Sequence, residues 1–337
     1  MATPGLLYSY LLLFFSRIYN ASIFITLYLF CIQGGGTGFI GSAFKYLLNC
    51  NGYQVTTISR MPGPDRITWI DVSSKGLPKG ITAVVNLAGQ NILDPASRWN
   101  DAFKQNVRNS RIKTTRTLAQ AIADADERPK VFISMSGVGV YKPDEKASYD
   151  EYSDVSQSFD FLSQLALEWE AAARLPSDVE DVRQVIVRSG IVLGRNGGMI
   201  KQIYLPFWFC VGGPIGSGTQ FMPWIHIYDM CHILLFAIEN SKASGIINGV
   251  APQIITNSDF TRSFAGALHR PAFIPLPALA LRLIFGDERS KIMTEGQKVY
   301  SKRLNELNYK FKYDNIDQAC KTFTNFYTSA KDINLVY

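Results

Sequence analysis

The run Gly34-Gly35-Gly36-Thr37-Gly38-Phe39-Ile40-Gly41 restricts the fold of this chain more than any other feature. It follows an apolar run, Leu27 to Gln33, and leads into helical spacing over Ser42 to Asn49. Gly35, Gly38 and Gly41 satisfy GxxGxxG, and Gly36 opens a GxGxxG reading of the same residues. Between a strand and a helix each glycine has its own task. The first allows a tight turn, the second lets backbone amides approach an anion, and the third lets the helix lie close on the strand. The helix N-terminus adds a positive field. Gly35, Gly36, Thr37, Gly38, Phe39, Ile40 and Gly41 therefore form the candidate cradle for the diphosphate of a dinucleotide.

The remaining pattern agrees with that start. Apolar runs at Gln54 to Ile58, Ala83 to Leu87, Lys130 to Ser134 and Gln184 to Leu193 are separated by helical stretches, chiefly Trp99 to Ala123 and Asp160 to Ala173. Strand, helix, strand, repeated, builds right-handed crossovers and hence an α/β, doubly wound parallel sheet, the NAD(P)-binding Rossmann fold. After Gly194 glycine and proline become frequent, as in Gly212-Gly213-Pro214, which reads as a smaller C-terminal substrate lobe. The expected division is a non-core hydrophobic leader over 1–26, a Rossmann domain over 27–194 and a mixed lobe over 195–337, from which 227–252 returns to the sheet. That return consists of a helix over Ile227 to Glu239 and a strand over Gly245 to Val250. A further helix is expected over Asn257 to Leu268, and Phe273 to Phe285 should lie over the pocket.

Composition narrows the function classes. With 47% apolar and 18% charged residues, the body of the chain is neither disordered nor a polytopic membrane protein. The net charge of +6 comes from scattered residues without a basic run, so no nucleic-acid partner is expected. Five cysteines, spread out and without a CxxC pair, suit a reducing compartment, cytoplasmic or mitochondrial. The three histidines are not grouped with them, so no metal is expected. In the leader, Leu6 to Phe15 and Ile23 to Ile32 are each shorter than the about 20 apolar residues of a membrane span. The leader is read as a targeting or non-native extension rather than an anchor.

Two further strand ends refine the site. About twenty residues past the glycine turn, where an acid would hold a ribose 2′-hydroxyl, stand Ser59 and Arg60. Arginine there offers charge-assisted hydrogen bonds to a 2′-phosphate, which favours NADP over NAD. The next strand ends in Asn86-Leu87-Ala88-Gly89, whose small residues let the nicotinamide half cross the strand ends.

These motifs, with Ile133-Ser134-Met135-Ser136 followed by Tyr141, Arg188 to Gly194 and Trp224-Ile225-His226-Ile227-Tyr228-Asp229, resemble the extended or atypical short-chain dehydrogenase/reductases. More narrowly, the chain is similar to epimerase family proteins of the short-chain dehydrogenase/reductase family 39U member 1 type. Pro62-Gly63, Arg66-Ile67-Thr68-Trp69, Trp99, Ser110-Arg111, Phe161-Leu162 and Trp169-Glu170 support that match. The resemblance implies an NADP-linked fold and a homodimer built on helices. It also implies that Ser136 hydrogen-bonds a substrate oxygen, with Tyr141 nearby, and these two are the candidate catalytic residues.

The general acid/base Tyr and the Lys four residues later, which the resemblance would place at the start of the helix near Phe161, are absent: position 165 is leucine. Tyr149 and Tyr152 lie on a polar loop, Arg111 faces either cofactor phosphates, an acidic substrate or solvent, and His226 reads as structural. The expected function is an NADP-dependent oxidoreductase or epimerase-like enzyme acting on a small-molecule substrate. The alternative is a catalytically inactive NADP-binding sensor, scaffold or accessory subunit, motivated by the missing dyad.

Overall fold

The computed structural model describes residues 29–94 and 97–324. The expected leader, and the first residues of the opening strand, lie outside the described residues. Leu29–Gly34 forms β1, and the glycine turn delivers it into α1 (Phe39–Cys50). β2 (Tyr53–Ser59), a short β3 (Arg66–Thr68), α2 (Trp69–Lys75) and β4 (Ile81–Asn86) follow. The stretch expected as one long helix is α3 (Asp101–Arg108), a π-helical turn (Asn109–Lys113) and α4 (Thr114–Ala123). Asn100 starts it, because its side chain accepts the amide of Phe103. β5 (Val131–Gly137), β6 (Ser148–Tyr149), α5 (Phe161–Ala173), β7 (Arg183–Ser189), β8 (Ile191–Gly194), α6 (Gly198–Trp208), β9 (Trp224–His226), α7 (Ile227–Glu239) and β10 (Gly245–Gly249) come next. α8 (Asn257–Leu268), α9 (Ala278–Phe285), α10 (Asp287–Thr294), β11 (Lys298–Val299), α11 (Lys302–Glu306) and α12 (Ile316–Thr324) complete the described chain.

Seven strands form one parallel sheet in the order β10-β7-β5-β4-β1-β2-β3. Alternate residues of each strand feed opposite layers, as the two-residue period of a strand requires. Cys31, Ala83, Val85 and Ile133 pack with Phe44 and Leu48 of α1 and Ile233 and Leu234 of α7. Ile32, Val84 and Phe132 pack on the other face with Leu118 and Ile122 of α4. The strand order reverses between β1 and β4, which opens a crevice at their carboxyl ends.

Two departures from the sequence reading have clear causes. The run Gln184 to Leu193 is not one strand, for the chain bends at Gly190 and β8 leaves the main sheet to pair with β9. A Cβ at Gly190 would lie 2.6 Å from the Pro223 carbonyl oxygen, so the crossing tolerates only glycine. The unforeseen helix α2 is set by a capping box in which Thr68 accepts the Asp71 amide and Asp71 the Thr68 amide. Beyond β8 a second core gathers Leu193, Ile200, Phe207, Trp224, Phe260, Phe264 and Phe323. Among the described residues no helix is long and apolar enough to cross a membrane.

Candidate functional site

The glycine turn is built by close approach. Gly35 has φ +74°, and a Cβ there would lie 2.6 Å from the Leu87 carbonyl oxygen. A Cβ at Gly41 would lie 2.2 Å from the Gly35 oxygen, which is how α1 comes to rest on β1. Gln33 secures this contact by donating from Nε2 to the Gly41 carbonyl at 2.8 Å. Gly38 is different: a Cβ there would meet the Gly35 oxygen at 3.3 Å and no other atom within 4 Å. It occupies the N-cap of α1 with no side-chain cap, and no acid lies in the first turn. The first amides of the helix therefore have no side-chain acceptor, which suits an anion. A hollow of about 220 Å³ lies here, lined by Thr37, Gly38, Phe39, Ser42, Ala43 and Asn196. Gly197 and Gly198 close over the Phe39 ring, which fixes its edge.

At the next strand end, the Ser59 hydroxyl turns onto the Met61 carbonyl while the Arg60 side chain is exposed. On the other side of β1, Asn86 is fully buried, donating to Thr115 Oγ1 at 2.7 Å and accepting the Ala88 amide at 3.1 Å. Its amide thus shapes the Leu87-Ala88-Gly89 loop from beneath. The Leu87 amide binds the Gly34 carbonyl at 2.9 Å, which draws that loop over the glycine turn. Gly89 is exposed, and a Cβ there would lie 3.0 Å from the Arg111 guanidinium carbon. Arg111, from the π-helical turn, donates to the Gln90 carbonyl at 2.9 Å and lies over the Trp169 ring at 5.2 Å. Burial lowers its pKa to about 10. The loop thus joins Arg111 to the rim of the crevice.

Ser136 and Tyr141 belong to one buried polar network. Ser136 donates to Glu170 at 2.8 Å. Glu170 takes Arg188 through both its oxygens, at 2.7 and 2.8 Å. Arg188 donates on to the Tyr141 hydroxyl at 2.9 Å, and that hydroxyl faces the Asn248 side-chain oxygen and the Asp150 carbonyl at 2.9 Å each. Burial lifts the phenol of Tyr141 above its ordinary value, and the neighbouring Arg188 does not reverse this. Burial also opposes the Arg188 charge, yet Glu170 and Tyr141 raise its pKa above the usual guanidinium value. Tyr149 stacks on Tyr141, and Tyr152 is exposed with its hydroxyl on Glu306 at 2.7 Å. At the head of α5, Phe161 meets Trp99 edge to face, and Leu165 is buried with Phe103 and Val107.

Of this network only the ion pair had a signal in the sequence. An arginine inside the apolar run Gln184 to Leu193 must find a buried acid, because an unpaired buried charge is too costly. Glu170, in Leu-Glu-Trp-Glu on a buried helix face, supplies it. His226 caps α7 instead: its Nδ1 accepts the Tyr228 amide at 3.0 Å and its Nε2 lies 3.0 Å from the Thr322 hydroxyl. Among the described residues no cluster of His, Cys, Asp and Glu could hold a metal.

Comparison with known proteins extends this geometry. Residues 34–248 match the NAD dependent epimerase/dehydratase family, and residues 276–323 match a domain of unknown function, DUF1731. The chain is 52% identical over 291 residues to the epimerase family protein SDR39U1 of Bos taurus, covering 86% of this chain and 98% of that protein. It is 49% identical over 290 residues to the Homo sapiens protein of the same name, covering 86% and 98%. A crystal structure of human SDR39U1 (isoform 2) with NADPH superposes with a TM-score of 0.86 at 48% identity, over 88% of this chain and 99% of that one.

Proposed function

The chain belongs to the NAD dependent epimerase/dehydratase family, and from that premise we propose that it binds NADP(H) across the carboxyl ends of β1, β2 and β4 and acts as an oxidoreductase or epimerase-like enzyme on a small-molecule substrate. The observation that carries the reading is the uncapped N-terminus of α1 above an open hollow at Gly38. The residues present fit the group. Thr37, Gly38, Phe39, Ile40 and the closely packed Gly35, Gly36 and Gly41 would hold the diphosphate with backbone amides. Ser59 and the exposed Arg60 would meet the 2′-phosphate, and the Leu87-Ala88-Gly89 loop, with Arg111 at its rim, would meet the nicotinamide half. The structure of human SDR39U1 with NADPH supports the phosphorylated cofactor. When bound, the cofactor supplies or takes a hydride. Asn86 would hold the Leu87-Ala88-Gly89 loop in place for it, and Ser136 and Tyr141 are kept in fixed hydrogen bonds.

A specific observation favours the second reading, a protein that binds NADP(H) without turnover. Ser136 and Tyr141 are both committed to buried partners, and Phe161 and Leu165 stand where an acid/base pair would be expected. Titration with NADPH and NADH by calorimetry tests the cofactor assignment. NADPH should bind more tightly, and Arg60→Ala should cost about 10- to 100-fold for NADPH alone, the worth of a lost charge-assisted hydrogen bond. Equal affinity for the two cofactors would refute the assignment. A screen for substrate-dependent NADPH oxidation separates the two readings, and turnover lost in Ser136→Ala excludes the inactive one.

A further inference from the structure

The lobe beyond Gly194 carries an apolar face that no described residue covers. Phe209, after α6, is 69% exposed, Phe273 is 75% exposed, and on α9 Leu279, Leu283 and Ile284 are 66%, 81% and 67% exposed. Of the large apolar side chains on α9, Leu281 alone is buried. The two chain segments lie edge to edge. The Leu276 amide binds the Pro214 carbonyl at 2.8 Å, the Gly216 amide binds the Leu276 carbonyl at 2.9 Å, and Arg270 Nε binds the Trp208 carbonyl at 3.1 Å. A Cβ at Gly213 would lie 1.9 Å from the Ile274 carbonyl oxygen, so the contact is continuous. Leu205, on α6, and Val211, just after it, are exposed as well. Isolated exposed leucines need no explanation, but a contiguous patch of this kind marks an interaction surface.

Its charge identifies the partner. The chain holds 28 acids in 337 residues, about one in twelve, yet none lies between Arg195 and Tyr228 or between Phe260 and Gly286. These same segments carry Arg195, Lys201, Arg262, Arg270 and Arg282. Trp208 stacks on Tyr204, and the Arg270 guanidinium lies 4.5 Å over the Trp208 ring. Apolar tips, an aromatic layer and a rim with a net excess of basic residues are the complement of an anionic lipid headgroup layer. The acids that flank the second of these segments are Asp259, 3.5 Å from Arg262, and Asp287, beyond the end of α9 and 3.9 Å from Arg282, which leaves Lys201 and Arg270 without an acid within their own segments.

We propose that this face docks peripherally on an anionic membrane surface, with Phe273, Leu279, Leu283 and Ile284 entering the acyl boundary and Lys201, Arg270 and Arg282 meeting lipid phosphates. The docking requires no spanning helix and is independent of the cofactor assignment. The test is flotation of the full chain with phosphatidylcholine vesicles, with and without phosphatidylserine. The full chain should float with the anionic vesicles only and release as salt is raised. Leu283→Glu with Ile284→Glu should lower the bound fraction about tenfold or more, and Arg282→Glu should lower it on anionic vesicles, with NADPH affinity and melting temperature unchanged in both. Binding retained in the double variant would place attachment elsewhere in the chain and overturn the proposal. So would absence of binding by the unaltered chain, or a concentration-dependent dimer that the double variant abolishes.

Discussion

Replacing Arg188 by methionine removes the cation at the centre of the buried network while keeping its volume. Arg188 is 1% exposed and Glu170 8%. The substitution leaves the Glu170 carboxylate inside the protein with the Ser136 hydroxyl as its remaining side-chain donor, and takes from Tyr141 the donor at 2.9 Å. Breaking one side of a buried ion pair costs about 3–5 kcal/mol, because the surviving charge stays desolvated. At about 2 °C per kcal/mol for a chain of this size, Arg188→Met should melt roughly 6–10 °C lower. Adding Glu170→Leu removes the stranded charge, and the double variant should recover at least about half of that loss. Thermal unfolding followed by circular dichroism measures both. A single variant melting within about 2 °C of the parent, or a double variant melting no higher than the single, would refute the view that the pair is a buried, mutually compensating unit.

Gly41→Ala drives a methyl into backbone at 2.2 Å and should cost about 1–3 kcal/mol of stability along with NADPH binding. Gly38→Ala, at φ −77° with only one contact at 3.3 Å, should cost about 1 kcal/mol or less, yet weaken NADPH strongly because its methyl enters the hollow. Equal loss of stability in the two variants would contradict the turn geometry. Burial holds the His226 pKa down to about 3, against 6.5 for the free side chain. The unfolded chain therefore takes up a proton near pH 6.5 that the folded one refuses until about pH 3, so this contribution to stability is full above 6.5 and is lost as pH falls through that window. The loss should reach about 1.4 kcal/mol per pH unit, and His226→Asn, which keeps an N-cap acceptor, should flatten the profile between pH 6.5 and 4.

Much of the sheet was legible because parallel strands buried on both faces write themselves as apolar runs, and because the glycine spacing has few other uses. The helices at Ile227 to Glu239 and Asn257 to Leu268 fall where their periodicity and caps place them. The break at Gly190 was not legible, since its cause is the carbonyl of Pro223, thirty-three positions away in the chain. Nor was the fate of Ser136 and Tyr141. Their hydroxyls were free candidates in one dimension and are occupied in three, because α5 brings Glu170 beneath β5 and β7 brings Arg188 between them.

The sequence by itself determined the local chemistry: a strand, a bare glycine turn and a helix N-terminus that attract an anion, with an arginine at the next strand end. Periodicity and backbone sterics act over a few residues, and those were enough. The tertiary structure alone decided which polar groups are spent on one another and which face water, because burial and charge pairing depend on residues far apart in the chain. That is why the strand, the glycine turn and the helix could be read in advance, whereas the hydrogen-bond partners of Ser136 and Tyr141 and the uncovered apolar face beyond β8 could not.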